Sequence, residues 1–233
     1  MNFSNLSVKA KLGAGFGVLS LVVMCVSALA LKSLGTSHDD FQTYVEDDAV
    51  RISLANDVLD AANARAIGAR NLVLVSSSAD RDAEKAAVTQ AHAKLQDVIA
   101  KLKATLAKAG AATELEKKSF ADLERAEAKY GPVALAIVEL ALAGKRDEAV
   151  GRMNADCRPL LAALLQAANG YIAVANAAAV EEVKASEARY AFARNLMLAI
   201  CAASLAAATV LAWTITRSIT GALGAEPAEL GRT

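Results

Sequence analysis

The segment Arg51–Val75, with the sequence RISLANDVLDAANARAIGARNLVLV, has the residue spacing of a packed helix. Steps of three and four residues along it give eight positions, six of which carry small or apolar side chains. The other two are arginines, and a guanidinium buried in an apolar face needs an anionic partner. That partner is either Asp57, Asp60 or an acid on a neighbouring helix, or else a small anion from outside. The eight positions are Arg51, Leu54, Val58, Ala61, Arg65, Gly68, Leu72 and Val75.

The composition favours a helical protein and excludes several classes of function. Hydrophobic residues make up 55% of the chain, aromatic residues only 4%, and there are three prolines. Acidic and basic residues are equal at 25 each, so we expect no nucleic-acid partner. No nucleotide-binding, hydrolase or zinc-peptidase motif occurs, and we expect neither catalysis nor a cofactor.

The cysteines and histidines do not predict a metal site or a disulfide framework. His38 and His92 are too few and too far apart to form a metal site. The three cysteines lie too far apart in the sequence to form a CxxC motif: Cys25, Cys157 and Cys201. We expect Cys157 to be a buried free thiol.

Two uncharged runs, residues 12–31 and 195–216, are each long enough to cross a bilayer of about 30 Å. Basic residues at 9, 11 and 217 flank them on one side, which predicts a two-pass membrane protein. Residues 1–11 would then be cytoplasmic and residues 32–194 outside the cell membrane, with 217–233 again cytoplasmic. A cleaved signal peptide is the alternative for the first run, because Ala28-Leu29-Ala30 matches a cleavage site.

The region 32–194 divides into four helical stretches. The first continues to about Val75, the second runs from about Ala79 to Ala109 behind a serine cap, and Gly110 ends it. The third begins at Thr113 with a capping-box pattern and ends near Gly144. Gly131-Pro132 is expected to kink or divide it. The fourth begins near residues 147–148, with a bend expected at Pro159, and continues into the second uncharged run.

Short connections between these stretches predict an all-α fold, an antiparallel up-down-up-down four-helix bundle flanked by two transmembrane helices. A narrow bundle with extended apolar faces usually packs against a second copy. We therefore expect a homodimer in the membrane.

This organisation resembles that of bacterial methyl-accepting chemotaxis receptors with a four-helix-bundle ligand-binding domain. The segment ITRSITGALGAEPAEL, residues 215–230, is similar to the start of a HAMP linker, although Gly221-Ala222 stands where a charged residue and a proline are usual. The resemblance implies a sensor in the bacterial inner membrane, with residues 32–194 in the periplasm, that controls a chemotaxis kinase and its adaptor through a cytoplasmic part absent here. The sequence is then either the sensor end of a longer receptor or a truncated receptor.

A more specific match concerns the two arginines Arg65 and Arg70. They keep the five-residue spacing of two ligand-binding arginines on the first helix of the enteric aspartate and serine receptors, where these clasp ligand carboxylates across the dimer interface. A third arginine of those receptors corresponds to Leu74 here. The resemblance implies a small-molecule ligand, an organic acid or an amino acid, and favours a general anion over an aspartate-like ligand.

An antiparallel register brings further candidates to the level of Arg65. Counting about twelve residues from the tip along each helix places His92, Tyr130 and Arg158 there, and these complete the predicted ligand-binding set. Each also has a structural alternative. His92 is then a core or surface histidine, Tyr130 packs the kink, and Arg158 pairs with Asp156 or Asp147.

The sequence therefore predicts a transmembrane chemoreceptor sensor that binds a small anion and passes a helix shift through the membrane. Two alternatives stay open. The bundle is the input domain of a transmembrane histidine kinase or cyclic-dinucleotide enzyme, or it recognises a periplasmic binding protein.

Overall fold

The computed structural model describes residues 8–108 and 112–223, and every regular element in these ranges is helical. Two short π-helical segments, Tyr44–Asp48 and Met153–Cys157, separate α1 from α2 and α5 from α6. The predicted all-α class is therefore confirmed. The α-helices are α1 (Val8–Thr43), α2 (Ala49–Leu74), α3 (Ser78–Leu106), α4 (Glu114–Leu142), α5 (Arg146–Arg152) and α6 (Arg158–Leu223).

The chain forms two compact units. Residues 41–183 form the bundle unit, and residues 1–40 with 184–233 form the hairpin unit. The core of the bundle unit lies between α2, α3, α4 and the first part of α6, which is the four-helix arrangement predicted from the sequence. Large core side chains come from each of these helices, including Leu72, Leu95, Leu102, Leu123, Ile137, Leu164 and Tyr171.

The helix starts follow the local sequence. The Ser77 hydroxyl accepts a hydrogen bond from the Asp80 N–H and caps α3, and Thr113 and Glu116 form the predicted capping box at the start of α4. Gly110, expected to end the second helix, lies outside the described residues. α4 ends at Leu142, and Gly144 follows with a φ of 77°, a left-handed conformation that glycine adopts without steric cost.

The two prolines do not divide helices as simply as expected. Pro132 lies inside α4, which continues through it as one helix. The fourth stretch is interrupted before Pro159, because the π segment Met153–Cys157 separates α5 from α6. In both π segments the following residue donates to a carbonyl five positions back, from Ala49 to Tyr44 and from Arg158 to Met153. Such segments are frequent at functional sites.

In the hairpin unit, α1 and α6 pair in antiparallel fashion. A Cβ added to Gly15 would lie 3.9 Å from Leu211, and Ser186 donates a 2.7 Å hydrogen bond to Asp40. The two contacts are 25 residues apart on each helix, so the register is constant along the pair. Within residues 8–108 and 112–223, two helices are long and apolar enough to cross a membrane. The expected linker at 217–233 lies mostly outside the described residues.

Candidate functional site

Arg65 lies in the centre of the bundle unit with no exposed surface. Arg65 occupies one of the core-facing positions of α2, which otherwise carry small or apolar residues, so its side chain projects into the core. A buried charge of this kind is strongly unfavourable unless a counter-charge compensates it. The structure supplies that counter-charge from α4.

Glu127 is the partner of Arg65. Nη1 of Arg65 donates to Oε1 of Glu127 at 2.7 Å, and Nη2 donates to Oε2 at 2.6 Å. The two parallel hydrogen bonds form the bidentate arrangement in which guanidinium and carboxylate interact most strongly. Glu127 is itself 6% exposed, so the pair is buried as a unit. Of the two partners left open by the sequence, the structure contains the protein acid, on a neighbouring helix.

Three more side chains complete the surroundings of this pair. Nδ1 of His92 lies 3.0 Å from Nη1 of Arg65, and Nε2 of Gln96 donates to Oε1 of Glu127 at 2.9 Å. The guanidinium carbon stands over the ring of Tyr130, 4.6 Å from its centre, within cation–π distance. Because arginine can only donate, Nδ1 of His92 must accept, and in this arrangement the ring proton is on Nε2.

Two buried polar atoms of the site, Nε of Arg65 and the hydroxyl of Tyr130, have no hydrogen-bond partner within the described residues. Burial raises the pKa of the Tyr130 phenol, and the neighbouring Cys157 raises it further. Burial likewise raises the pKa of the Cys157 thiol. Cys157 is buried and free, as expected. Both groups are therefore neutral at physiological pH.

A cleft of about 580 Å³ opens between α3 and α4 beside the pair. Its wall includes His92, Gln96 and Glu127, and also Glu124, about one helical turn before Glu127 on α4. Gly131 also lines it, and a Cβ added there would approach Oε1 of Glu127 to 3.0 Å. The charged residues in the wall are both glutamates. Glu127 therefore contacts the cleft on one side and Arg65 on the other.

Three of the five predicted binding residues come together, and two do not. His92 and Tyr130 each contact the guanidinium of Arg65. Arg70 and Arg158 are exposed and do not join this cluster. Asp156, one acid proposed to pair with Arg158, is instead 3.6 Å from Arg152. Arg70 shares the exposed face of α2 with Ile67 and Leu74.

The principal residue that the sequence analysis missed is Glu127. It occupies one of the buried positions that α4 repeats every three or four residues, so its spacing carried the same signal as that of Arg65. An acid at such a position opposite a helix with a buried arginine predicts an ion pair. The buried positions of α4 are Glu116, Phe120, Leu123, Glu127, Tyr130, Gly131, Ala134, Ile137, Val138 and Ala141.

A second buried arginine forms a similar cluster two heptads from the first. Arg51 donates to Asp48, and its Nε donates to Oε1 of Glu116 at 3.3 Å. Glu116 uses its other carboxylate oxygen to cap α4. Tyr171 of α6 is buried next to Phe120, with the two ring centres 6.3 Å apart. Arg51 is thus paired with two acids of the protein, Asp48 and Glu116.

The family comparison gives a clear result. Residues 5–190 match a family model described as a four helix bundle sensory module for signal transduction. The chain belongs to this family. The matched range includes both buried arginine clusters, the cleft and the two π segments of the sensory module. The search of curated proteins and the search of solved structures each gave no match.

Proposed function

We propose that this sensory module is the input and membrane-spanning part of a bacterial chemotaxis receptor, and that its activity is binding rather than catalysis. Membership of a family of sensory modules for signal transduction supports a sensor. Two helices long and apolar enough to cross a membrane support the two-pass topology. In this topology residues 32–194 are periplasmic, and both termini are cytoplasmic.

The observation that carries the proposed input site is the position of Glu127. It lines the α3–α4 cleft and also holds the buried Arg65 of α2. A ligand that contacts Glu127 or Gln96 therefore changes the forces on the only counter-charge that Arg65 has among the described residues. A buried ion pair is costly to break, so α2 and α4 have few packings that keep it. Two packings that place Glu127 differently would offer such a ligand different contacts and would therefore differ in their affinity for it.

Of the two ligand classes expected from the sequence, the cleft favours an amino acid over an organic acid. An organic acid would meet Glu124 and Glu127, while Nη1 and Nη2 of Arg65 already bind Glu127. The amino group of an amino acid is attracted by these carboxylates. Its carboxylate is left to interact with donors such as the Nε2–H of His92.

Calorimetry on the full chain in lipid nanodiscs, with a panel of amino acids and organic acids, tests this assignment. Glu124 also binds the exposed Lys103 at 2.9 Å, an ion pair that contributes little at the surface. Glu124→Gln removes this pair and one charge from the wall, and we expect about tenfold weaker binding of an amino acid, the lower end for a charged hydrogen bond. Glu139→Gln is the matched control, because Glu139 is exposed on α4 away from the cleft. Equal affinities of the two variants, or binding of organic acids alone, would contradict the proposed site.

We also propose that the receptor is a homodimer and acts on a chemotaxis kinase and adaptor through a cytoplasmic part. The exposed Ile67 and Leu74 lie one heptad apart on α2, which suits contact with a second copy. A histidine kinase or a cyclic-dinucleotide enzyme as the output remains the alternative. Disulfide cross-linking of an Ile67→Cys variant in membranes tests the dimer, with exposed Lys85→Cys of α3 as the control.

A second candidate is the recognition of a periplasmic binding protein without a small-molecule ligand. The complete pairing of Nη1 and Nη2 of Arg65 with Glu127 favours it, because these groups need nothing from outside. In that case substitutions on the exposed surface of the bundle unit would abolish the signalling response of the receptor. Filling the cleft with Leu135→Trp, at a partly exposed residue of its wall, would leave the response intact.

A further inference from the structure

A second pocket, of about 250 Å³, lies in the hairpin unit between α1 and α6. One end is apolar, with Leu29 and Leu196, and the other is polar and begins at Lys32, with Phe192 beside it and Asp40 and Arg189 further on. The constant register of the two helices keeps these ends apart. Leu29 and Asp40 are about 16 Å apart along α1 at 1.5 Å per residue. The pocket therefore changes from apolar to polar along its length.

The polar end holds one positive charge that no acid compensates. Oδ2 of Asp40 accepts hydrogen bonds from Arg189 at 2.8 Å and from Ser186 at 2.7 Å. The hydrogen bond from Arg189 is the main reason that the pKa of Asp40 is lowered, so this carboxyl is ionised and matches the charge of Arg189. Lys32 forms no ion pair with any residue that the structure describes. The net charge of the three groups is therefore positive.

The pocket coincides with the boundary of the uncharged runs. Lys32 is the first charged residue after the run 12–31, and Arg194 is the last before the run 195–216. Leu29 and Leu196 lie on the uncharged side of this boundary, and Asp40 and Ser186 lie on the charged side. The exposed Tyr190 is of a type common at membrane–water interfaces.

We infer that this pocket binds an anionic phospholipid of the outer leaflet of the inner membrane. The phosphate would lie against Lys32, on the side that faces the Asp40–Arg189 pair, and the start of an acyl chain would lie against Leu29 and Leu196. A soluble anion would leave the apolar end uncovered. A second copy that covered this face through a two-fold axis would place Lys32 of both copies in the same interface, which is electrostatically unfavourable. The inference rests on the membrane placement proposed above.

Native mass spectrometry of the full chain, released from detergent with added lipid, tests the proposal. The probes are phosphatidylglycerol and phosphatidylcholine with identical acyl chains. We expect retention of phosphatidylglycerol to fall about fivefold in Lys32→Gln, the effect of one basic group near a lipid surface. Arg194→Gln is the control, because Arg194 carries the same charge at a similar depth outside the pocket. It should retain lipid like the wild type.

Ala193 lines the pocket, and Ala193→Trp fills it without a change of charge. Both lipids should then be lost, with helicity checked by circular dichroism. Three results would overturn the proposal: equal retention by Ala193→Trp and wild type, equal losses in Lys32→Gln and Arg194→Gln, or efficient cross-linking of Ser33→Cys between copies. A chain that remains soluble without detergent would instead contradict the membrane placement itself.

Discussion

Arg65 of α2 and Glu127 of α4 form two parallel hydrogen bonds, of 2.7 and 2.6 Å, in the centre of the bundle unit. Among the described residues, neither Arg65 nor Glu127 forms an ion pair with a residue of its own helix, so each charge depends on the other helix. The pair therefore fixes the position of α4 against α2. It also places a buried charge beside the cleft that we propose as the input site.

Removal of one partner of this pair should destabilise the protein strongly. Glu127→Leu leaves the Arg65 charge buried without compensation, and we expect a loss of about 3–5 kcal/mol in the free energy of unfolding. The double variant Arg65→Leu with Glu127→Leu should recover much of this loss, because neither charge remains. Denaturant unfolding of the full chain in detergent, followed by circular dichroism, measures both values.

Arg70→Leu is the control for these variants. Arg70 is exposed on α2, so its replacement should change the free energy of unfolding by less than about 0.5 kcal/mol. If the double variant were as unstable as the sum of the two single variants, the ion pair would not be the reason for the loss.

Two glycines should respond to alanine in opposite directions. A Cβ at Gly68 would lie 2.7 Å from Cγ2 of Val88, so Gly68→Ala forces α2 and α3 apart and should lower the melting temperature. At Gly170 of α6 nothing lies within 4 Å, so Gly170→Ala should stabilise the protein by about 0.5–1 kcal/mol through helix propensity alone. Thermal unfolding of the two variants decides this, and stabilisation by Gly68→Ala would contradict the close packing of α2 against α3.

The contributions of Asp48 and Asp40 to the free energy of unfolding should change with pH in opposite directions. Burial raises the pKa of Asp48 above its usual 3.8, so its contribution to stability is present below about pH 3.8 and is lost as the pH rises through the raised value. The pKa of Asp40 is lowered, chiefly by Arg189, so its contribution is present above about pH 3.8 and is lost as the pH falls through the lowered value.

Unfolding of the variants Asp48→Asn and Asp40→Asn over the acidic range measures these contributions. The advantage of wild type over Asp48→Asn should shrink with rising pH, and its advantage over Asp40→Asn should grow. Parallel trends for the two variants would show that the local surroundings of Asp48 and Asp40 do not control their titration.

The architecture of the chain was predictable because it depends on local patterns. The serine cap at Ser77, the capping box of Thr113 and Glu116, and the spacing of small residues around Arg65 each determine structure within a few residues. The level that joins Arg65 to His92 and Tyr130 followed from counting residues along antiparallel helices.

The partner of Arg65 required a comparison between helices that the sequence analysis did not make. The acids considered by name, Asp57 and Asp60, lie on the same helix as Arg65, and Asp57 is instead 3.5 Å from Lys94. Glu127 is 62 residues away in the sequence. Its spacing among the apolar positions of α4 was available in the sequence.

The π segments could not be predicted from the patterns used. The spacing of apolar residues assumes a constant turn, and one extra residue per turn over Tyr44–Asp48 changes which side chains face inward. Asp48 ends that segment and is buried against Arg51. Met153–Cys157 similarly ends at the buried Cys157, next to Tyr130.

The central claim is that a small molecule in the α3–α4 cleft changes the output on the other side of the membrane. The most direct test joins the chain, after Thr216, to the cytoplasmic part of a chemotaxis receptor with a measurable kinase output. Kinase activity is then recorded in membranes while the amino acid found by calorimetry is added. We predict a dose-dependent change in the wild-type chimera and none in Leu135→Trp, which fills the cleft from a partly exposed position in its wall. An equal response in both chimeras, or binding without any change in kinase activity, would contradict the account.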